Sequence, residues 1–247
     1  MPISPNQGST GGGTVVTVTG VNLAGATAVS FGTKLATITA NTPTSVTAIS
    51  PAGAGVVDMR VTTSGGTSNP LSFFYVGAPF AASVSIGSGP TAGGNTVTIR
   101  GTGLSTASSV SFGANTATPT VVSDGTISVV VPAGTAAGSV SLSVVTTGGV
   151  AGGLSYTYVD APTVSTVTPS SGPATGGTAV LLSGTDLATT DSITVGGAVA
   201  PFAVLNSTTV SLVTPPGDAG AADLVVTTTG GSATVVGGFT YTAGPGV

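Results

Sequence analysis

The stretch Gly93–Gly113, GGNTVTIRGTGLSTASSVSFG, occurs in three versions in this chain and decides its fold. The same frame runs from Gly12 to Gly32 as GGTVVTVTGVNLAGATAVSFG and from Gly176 to Gly196 as GGTAVLLSGTDLATTDSITVG. In every version the second glycine of the opening pair lies seven residues before the next shared glycine, and twelve further residues lead to the closing glycine. A unit that returns in this way indicates three small domains of similar structure in tandem.

Apolar and polar residues alternate within the repeated stretch, which is the period of a half-buried β-strand. In the middle version Val97 and Ile99 point to one side, and Val110 and Phe112 do so in the following strand. The corresponding inward pairs elsewhere are Val16 with Val18, Val29 with Phe31, Val180 with Leu182, and Ile193 with Val195. The alternation therefore predicts two core-facing strands near the start of each repeat.

The remainder of each repeat follows a shared plan of turns and strands. Proline turns are predicted at Pro51, Pro132 and Pro215. The proline ring restricts φ to a value that suits a turn, and the nearby glycine tolerates the backbone conformations that a tight turn requires. A strongly alternating strand and a Gly-Gly turn come next, the turns being at 65–66, 148–149 and 230–231. Each repeat closes on an aromatic strand that ends in Tyr75, Tyr158 or Tyr241, and these three tyrosines are evenly spaced along the chain.

No segment has a useful 3.6-residue period, so the sequence predicts an all-β protein with about seven short strands per repeat. We expect three tandem immunoglobulin-like β-sandwich domains, at residues 1–79, 80–161 and 162–247, in an end-to-end array. The glycine pairs, the G-x-x-L loop, the VSFG strand, the P-A-G turn and the closing F/Y-x-Y strand together resemble the IPT/TIG family. The resemblance covers all three repeats and implies a bacterial surface or extracellular module for binding or spacing, with no implied activity.

Charged residues make up only 4% of the chain, against roughly 25% in typical soluble proteins. Three basic groups and a net charge of -4 argue against nucleic-acid binding, which needs clustered Lys and Arg. No apolar run is long enough to cross a bilayer as a helix, so membrane insertion is not expected. The chain starts MPISPNQG, without the basic and apolar regions of a secretory signal, which leaves the export route open.

The residue types that carry most catalysis are missing, since the chain has no histidine, cysteine or glutamate. Lys34 near Ser30 is better interpreted as a solvated lysine than as a Ser-Lys pair. The glycine clusters at 8–13 and 87–94 lack the Lys-Ser/Thr of a phosphate loop and are interpreted as structural turns. The sequence therefore predicts no enzyme, and no catalytic, cofactor-binding or metal-binding residues.

Several aspartates and tyrosines are candidates for ligand sites. Asp186 with Asp191, and Asp218 with Asp223, could bind calcium weakly, but solubilising surface charge is the favoured interpretation. Asp58 and Arg60 are expected to form an exposed ion pair. The closing tyrosines could stack on a sugar; core packing with the hydroxyl at the rim is favoured, and the chain has no tryptophan for a glycan platform.

Four apolar residues stand out as candidate interdomain or intersubunit contacts. Phe74 alternates outward on the closing strand, Phe80 is assigned to a linker, and Leu181 and Val225 point outward from their strands. The connectors around them, Gly77-Ala-Pro-Phe80 and Asp160-Ala-Pro-Thr163, are short and contain proline.

The near absence of charge suggests a role for these surfaces, because sheet edges and soluble surfaces normally use charge to prevent association. The leading hypothesis is a non-enzymatic structural protein, a subunit of an extracellular fibre or surface assembly whose partner is another copy of itself. The alternatives are an adhesive module that binds a polysaccharide or a cell-surface protein, and a spacer region of a larger secreted protein.

Overall fold

The computed structural model describes residues 1–244, and within them every regular element is a β-strand. Backbone contacts divide the chain into two compact units. One contains Met1–Ser85, Val97–Val129 and Ser141–Leu154; the other contains Ile86–Thr96, Val130–Val140 and the residues from Ser155 onward.

The first repeat (residues 1–79) forms two sheets whose apolar faces meet in a shared core. Its four-stranded sheet has the order β1-β3-β7-β6, and its six-stranded sheet has the order β2-β10-β8-β4-β5 with β9 beside β8. The strands are β1 (Ile3–Ser4), β2 (Gln7–Ser9), β3 (Val15–Thr19), β4 (Ala28–Phe31), β5 (Lys34–Leu35), β6 (Thr37–Asn41), β7 (Ser45–Ile49), β8 (Val56–Thr63), β9 (Gly66–Thr67) and β10 (Leu71–Val76).

The middle repeat (residues 80–161) uses the same pairings. Its four-stranded sheet has the order β11-β13-β17-β16; β14 pairs antiparallel with both β15 and β18, and β12 runs parallel to β19. The strands are β11 (Phe80–Val84), β12 (Ser88–Pro90), β13 (Thr96–Thr102), β14 (Ala107–Phe112), β15 (Asn115–Ala117), β16 (Thr120–Ser123), β17 (Thr126–Val130), β18 (Gly138–Thr146) and β19 (Gly149–Val159).

The third repeat has a four-stranded sheet β20-β22-β26-β25 and a five-stranded sheet β21-β28-β27-β23-β24. The strands are β20 (Thr163–Thr168), β21 (Ser171–Pro173), β22 (Ala179–Thr185), β23 (Thr190–Val195), β24 (Ala198–Val199), β25 (Phe202–Asn206), β26 (Thr209–Val213), β27 (Gly220–Thr228) and β28 (Gly231–Thr242).

The inward pairs expected from the alternation are confirmed as core residues. In the first repeat Val16, Val18, Val29 and Phe31 are all 2% exposed or less, and the Phe31 ring meets Phe73 edge-on at a centroid distance of 4.9 Å. The corresponding pairs of the other repeats are buried to the same degree: Val97, Ile99, Val110, Phe112, Val180, Leu182, Ile193 and Val195. Because a one-residue slip would turn these side chains to solvent, their burial fixes the strand register.

The closing tyrosines pack in the core and bond to the proline turns. The Tyr158 hydroxyl donates to the Pro132 carbonyl at 2.8 Å, and its ring lies where a Cβ on Gly134 would come 2.8 Å from Cγ. A larger residue at Gly134 would therefore displace the ring. Burial raises the pKa of the Tyr158 phenol, and the neighbouring Tyr156 raises that pKa further. The Tyr75 and Tyr241 hydroxyls make the same bond to Pro51 and Pro215.

Two sequence-based expectations differ from the structure. Each repeat has nine or ten strands rather than about seven. Its first strand is split between the two sheets, since β1 pairs with β3 and β2 pairs with β10, and two-residue strands such as β5 and β9 add to the count. The assignment of Phe80 to a linker is wrong, since this residue begins β11 and pairs with Thr102. The expectation fails because β11 begins before the repeated stretch of the middle repeat, in residues that the sequence assigns to the connector.

Candidate interaction surfaces

The four-stranded sheets are almost free of charge. Their twelve strands contain one charged residue, Arg100 on β13. The chain's other charged side chains lie on the opposite sheets or in turns, as with Asp58 and Arg60 on β8, Lys34 on β5 and Asp223 on β27. The four-stranded sheet is therefore nearly neutral in every repeat, and in the middle repeat the strands of the other sheet are free of charge as well.

The neutral sheet of the third repeat also has an apolar outer face. Leu181 and Val213 are each 42% exposed, and Ala179 lies directly opposite Val213 across the β22–β26 ladder. Leu181 faces Ser211, whose partner on β25 is Ala203. The side chains of Ala179, Leu181, Ala203, Ser211 and Val213 form a surface that we term the apolar face.

The equivalent face of the first repeat differs at its central position, while Val15, the counterpart of Ala179, is 56% exposed there. Thr17 stands at the position of Leu181, and its hydroxyl hydrogen-bonds the Thr47 hydroxyl across β3 and β7 at 3.2 Å. Thr98 occupies the same position in the middle repeat. The third repeat thus has an apolar side chain where the other two have threonine.

The edges of the neutral sheets contain β-bulges, which protect against pairing with a further strand. Three of the six edge strands, β6, β16 and β25, are free of charge, yet each contains an irregularity, between Ile38 and Ala40, Val121 and Ser123, and Val204 and Asn206. A bulge twists an edge away from the flat geometry that a further strand would need. Pairing of a further strand is therefore disfavoured at these three edges.

The four predicted contact residues lie in separate places. Leu181 belongs to the apolar face, whereas Val225 is half-buried on β27, in the opposite sheet of the same repeat. Phe74 is 38% exposed on β10, and Phe80 is 62% exposed at the start of β11. They do not form one surface within a repeat, and their role as contacts stays a prediction.

The third repeat has an open cleft with a different chemistry. Its volume is about 760 Å³, and its lining includes Thr194, Asp218, Asp223, Val225 and Tyr241. One oxygen of Asp223 accepts the Gly237 backbone N–H at 2.8 Å, which fixes that carboxylate at the cleft. The cleft therefore offers hydroxyl and carboxylate groups to a polar ligand.

The residues considered for catalysis interact with other groups of the fold, and those considered for metal binding do not cluster. Lys34 Nζ donates to the Ala52 carbonyl at 2.8 Å, and Arg60 lies 3.6 Å from Asp58 with both side chains exposed. Within residues 1–244 no three acidic, histidine or cysteine side chains cluster as a metal site would require. The described residues also include no helix long and apolar enough to cross a membrane.

The glycine clusters are structural turns. Gly93 adopts φ +69°, and a Cβ there would lie 2.6 Å from the Val131 carbonyl oxygen, so the turn packs directly on the proline turn. The adjacent Gly94 donates its N–H to that same carbonyl at 2.9 Å. The backbone N–H of Gly94 is thereby used within the fold.

Several solved structures match this chain at low identity and low TM-score. The Plexin A4 extracellular region is 19% identical with a TM-score of 0.49; the match covers 91% of this chain and 22% of that one. SGBP-B from the Bacteroides ovatus mixed-linkage glucan utilization locus, in complex with a mixed-linkage heptasaccharide, is 18% identical with a TM-score of 0.31, covering 96% and 65%. The Escherichia coli adhesin FdeC is 16% identical with a TM-score of 0.31, covering 97% and 92%.

This chain spans about a fifth of the Plexin A4 chain that it matches. No curated protein matches its sequence. The model of the IPT/TIG domain matches three times, at residues 1–75, 79–158 and 162–243. The chain therefore belongs to the IPT/TIG family and consists of three such domains in tandem.

Proposed function

We propose that the chain is a non-enzymatic structural subunit of an extracellular assembly, whose neutral sheets pack on neighbouring copies. The observation that carries this proposal is the single charged residue in the twelve strands of the four-stranded sheets. Face-to-face packing of two sheets buries polar and apolar side chains together, and a charged side chain there would be desolvated. A neutral face avoids that cost.

The apolar face of the third repeat is the strongest candidate for such a contact. Burying one leucine side chain contributes about 1.5–3 kcal/mol, which corresponds to roughly a 10- to 150-fold change in a dissociation constant. Leu181 has only 42% of its surface exposed, so only part of that gain remains available on association. We therefore expect a several-fold effect from this side chain.

Sedimentation velocity over a wide concentration range tests the proposal. Leu181→Thr introduces the residue that the first two repeats have at this position, and it should weaken self-association several-fold without unfolding the domain. Val236→Thr is the matched control, since Val236 is 82% exposed on β28, in the other sheet. A wild-type chain that stays monomeric at every concentration, or equal effects of the two substitutions, would contradict the role of the apolar face.

A second candidate function is the binding of a neutral polysaccharide in the cleft of the third repeat. The observation in favour is the pair Asp218 and Asp223 beside Thr194, because carboxylates and hydroxyls at an open cleft can hydrogen-bond sugar hydroxyls. Isothermal titration with soluble mixed-linkage glucan and xyloglucan tests this, with Asp218→Asn as the variant that should lower affinity. Absence of heat with both glucans would remove them as ligands and leave the assembly proposal in place.

A further inference from the structure

The first repeat has a cleft in the same place as the open cleft of the third repeat. Its volume is about 330 Å³, against about 760 Å³ in the third repeat. The lining residues that correspond along the repeated frame are Phe31 with Val195, Lys34 with Ala198, Ala52 with Pro216, Ala54 with Asp218, and Tyr75 with Tyr241. The cleft of the first repeat is lined by that repeat alone, although two further repeats follow it, so the cleft is a feature of the single domain.

The cleft of the first repeat contains a primary ammonium group. Lys34 extends from β5, and its Nζ donates to the Ala52 carbonyl in the proline turn at 2.8 Å. Because both residues line the cleft, the lysine side chain bridges it from one side to the other. A hydrogen bond from an ammonium to a carbonyl is charge-assisted and stronger than a bond between neutral groups. The proline turn therefore presents a carbonyl that an ammonium group can reach.

The third repeat keeps the acceptor but has no lysine at this position. Ala198 stands where the first repeat has Lys34, and its side chain ends at Cβ. Pro216 takes the position of Ala52, and as a proline it has a backbone carbonyl and no N–H, so its main chain can only accept hydrogen bonds. Both Ala198 and Pro216 are exposed and line the cleft. The space that a lysine covers in the first repeat is thus open in the third.

The cleft of the third repeat also has two carboxylates without a basic neighbour. Asp218 is particular to this repeat, and Asp223 corresponds to Asp58 of the first repeat, since the backbone carbonyl of each accepts the N–H of the glycine that closes the repeated stretch. Asp58 has Arg60 at 3.6 Å as its ion-pair partner. Val225 stands where Arg60 would be in the third repeat. Two positive groups of the first repeat are therefore absent from the third, and one negative group is added.

The sequence of the third repeat contains no basic side chain that could neutralise these carboxylates. It has four aspartates and no lysine, arginine or histidine, whereas the charges of the first two repeats cancel. The chain's net charge of -4 is therefore the charge of the third repeat. Charges of one sign on a surface produce a potential that attracts ligands of the opposite sign, and a cleft focuses this potential. The cleft of the third repeat thus favours a cationic ligand.

We infer that this cleft binds the protonated amino group of an amino sugar, in the place that Lys34 Nζ takes in the first repeat. An ammonium group has three N–H donors, and the Pro216 carbonyl with the carboxylates of Asp218 and Asp223 supplies an acceptor for each. The inference goes beyond the binding of a neutral glucan in the same cleft, for which the ligand needs no charge.

The size and lining of the cleft favour a sugar ring over an isolated lysine side chain. A volume of about 760 Å³ falls within the range of small-molecule sites, about 300–1,000 Å³. Beside the carboxylates the cleft is lined by Thr194, which has a hydroxyl, and by the apolar residues Ala222 and Val225. A sugar ring has hydroxyls at its edge and C–H groups on its faces, so it can contact both kinds of lining.

Isothermal titration with glucosamine oligomers tests the inference, and N-acetylated oligomers of the same length are the uncharged comparison. At about pH 6 carboxylates are ionised and amino groups are protonated, so only the glucosamine oligomers carry the charge. They should bind at least about five-fold tighter, and high salt should reduce this difference. Asp218→Asn should lower their affinity about two- to five-fold. Asp191→Asn is the matched control, because Asp191 is exposed in the same repeat but does not line the cleft.

Ala198→Lys restores the ammonium group of the first repeat and tests the site itself. The new side chain should donate to the Pro216 carbonyl, cover the cleft and lower the affinity for glucosamine oligomers at least about five-fold. Val199→Lys is its matched control, since it adds the same charge on the same strand, where Val199 is 72% exposed and points to the opposite face. Both positions are exposed, so both variants should keep the fold. Equal losses of affinity in the two lysine variants would overturn the inference.

The remaining outcomes separate this inference from the proposed function. Equal affinity for the two kinds of oligomer, or no binding of either, would overturn recognition of the amino group, while binding of mixed-linkage glucan would still support a neutral ligand. An oligolysine peptide that binds tighter than the glucosamine oligomers and is weakened by Asp218→Asn would overturn the sugar and indicate a protein partner. Self-association is independent of this cleft: Asp218→Asn should leave sedimentation unchanged, whereas Leu181→Thr should alter it.

Discussion

Tyr158→Phe is expected to destabilise the middle repeat by removing one hydroxyl and nothing else. The Tyr158 side chain is 1% exposed, and its hydroxyl donates to the Pro132 carbonyl at 2.8 Å. Phenylalanine keeps the ring that fills the core beside Gly134, so no cavity forms. The change therefore isolates the hydrogen bond.

The size of the effect follows from what happens to the carbonyl. A hydrogen bond within a protein contributes about 1 kcal/mol net, and a buried acceptor left without a partner costs about 1–3 kcal/mol. The bond to Pro132 is only partly buried, so we expect a loss of about 1–2 kcal/mol in the free energy of unfolding of this repeat.

Hydrogen exchange followed by mass spectrometry measures this repeat separately from the other two. Amides of β17, β18 and β19 should exchange about 5- to 30-fold faster in Tyr158→Phe, as expected for global opening of the repeat. Tyr75→Phe and Tyr241→Phe repeat the experiment in the other domains, since their hydroxyls bond to Pro51 and Pro215. Unchanged exchange in all three variants would refute the view that this bond stabilises the fold.

Three further outcomes are expected. Gly148→Ala should destabilise by about 1–3 kcal/mol because its Cβ overlaps the Gly77 carbonyl, whereas Gly65→Ala should be neutral or slightly stabilising; urea denaturation compares them. Tyr156→Phe leaves Asn95 without its 3.1 Å partner, and adding Asn95→Thr, which restores the Thr–Phe pair of the other repeats, should recover most of the loss in a double-mutant cycle. Burial raises the pKa of all four tyrosines above 10.0. The free energy of unfolding should therefore be constant below about pH 10 and should fall as the pH rises through the raised pKa values. Denaturation at pH 8–12 together with absorbance at 295 nm checks this, and a stability independent of pH would contradict it.

The sequence is sufficient for the fold because its signals are local and repeated. Alternation places Val16 and Val18 inward, and the burial of both confirms it. The closing tyrosines are expected in the core, and their burial confirms it, but the acceptor of each hydroxyl could not be foreseen. The Pro132 carbonyl lies 26 residues before Tyr158, and only the folded backbone brings them together.

The interaction surfaces are harder to predict, since they depend on which residues become neighbours in space. Leu181 is expected to point outward and does, yet its neighbours Ser211 and Ala203 come from strands that follow much later in the chain. Sequence reasoning misses altogether that both connectors pack against a Gly-Gly turn: a Cβ on Gly148 would overlap the Gly77 carbonyl, and a Cβ on Gly230 would overlap the Asp160 carbonyl. The sequence does contain a signal for these contacts: a Gly-Gly turn in each repeat and a proline at regular spacing after each closing tyrosine. Taken alone, however, each feature indicates only a local turn or a stiff connector.

The parallel pairing of β2 with β10 has a mechanical consequence. Force on the two ends of the repeat pulls β2 toward its start and β10 toward its end, so the strands are drawn past each other along their own axes. The ladder that joins Gln7–Ser9 to Phe74–Val76 is then loaded all at once, in shear, and cannot open one bond at a time. Since β12 with β19 and β21 with β28 repeat this arrangement, each domain should resist stretching before it unravels.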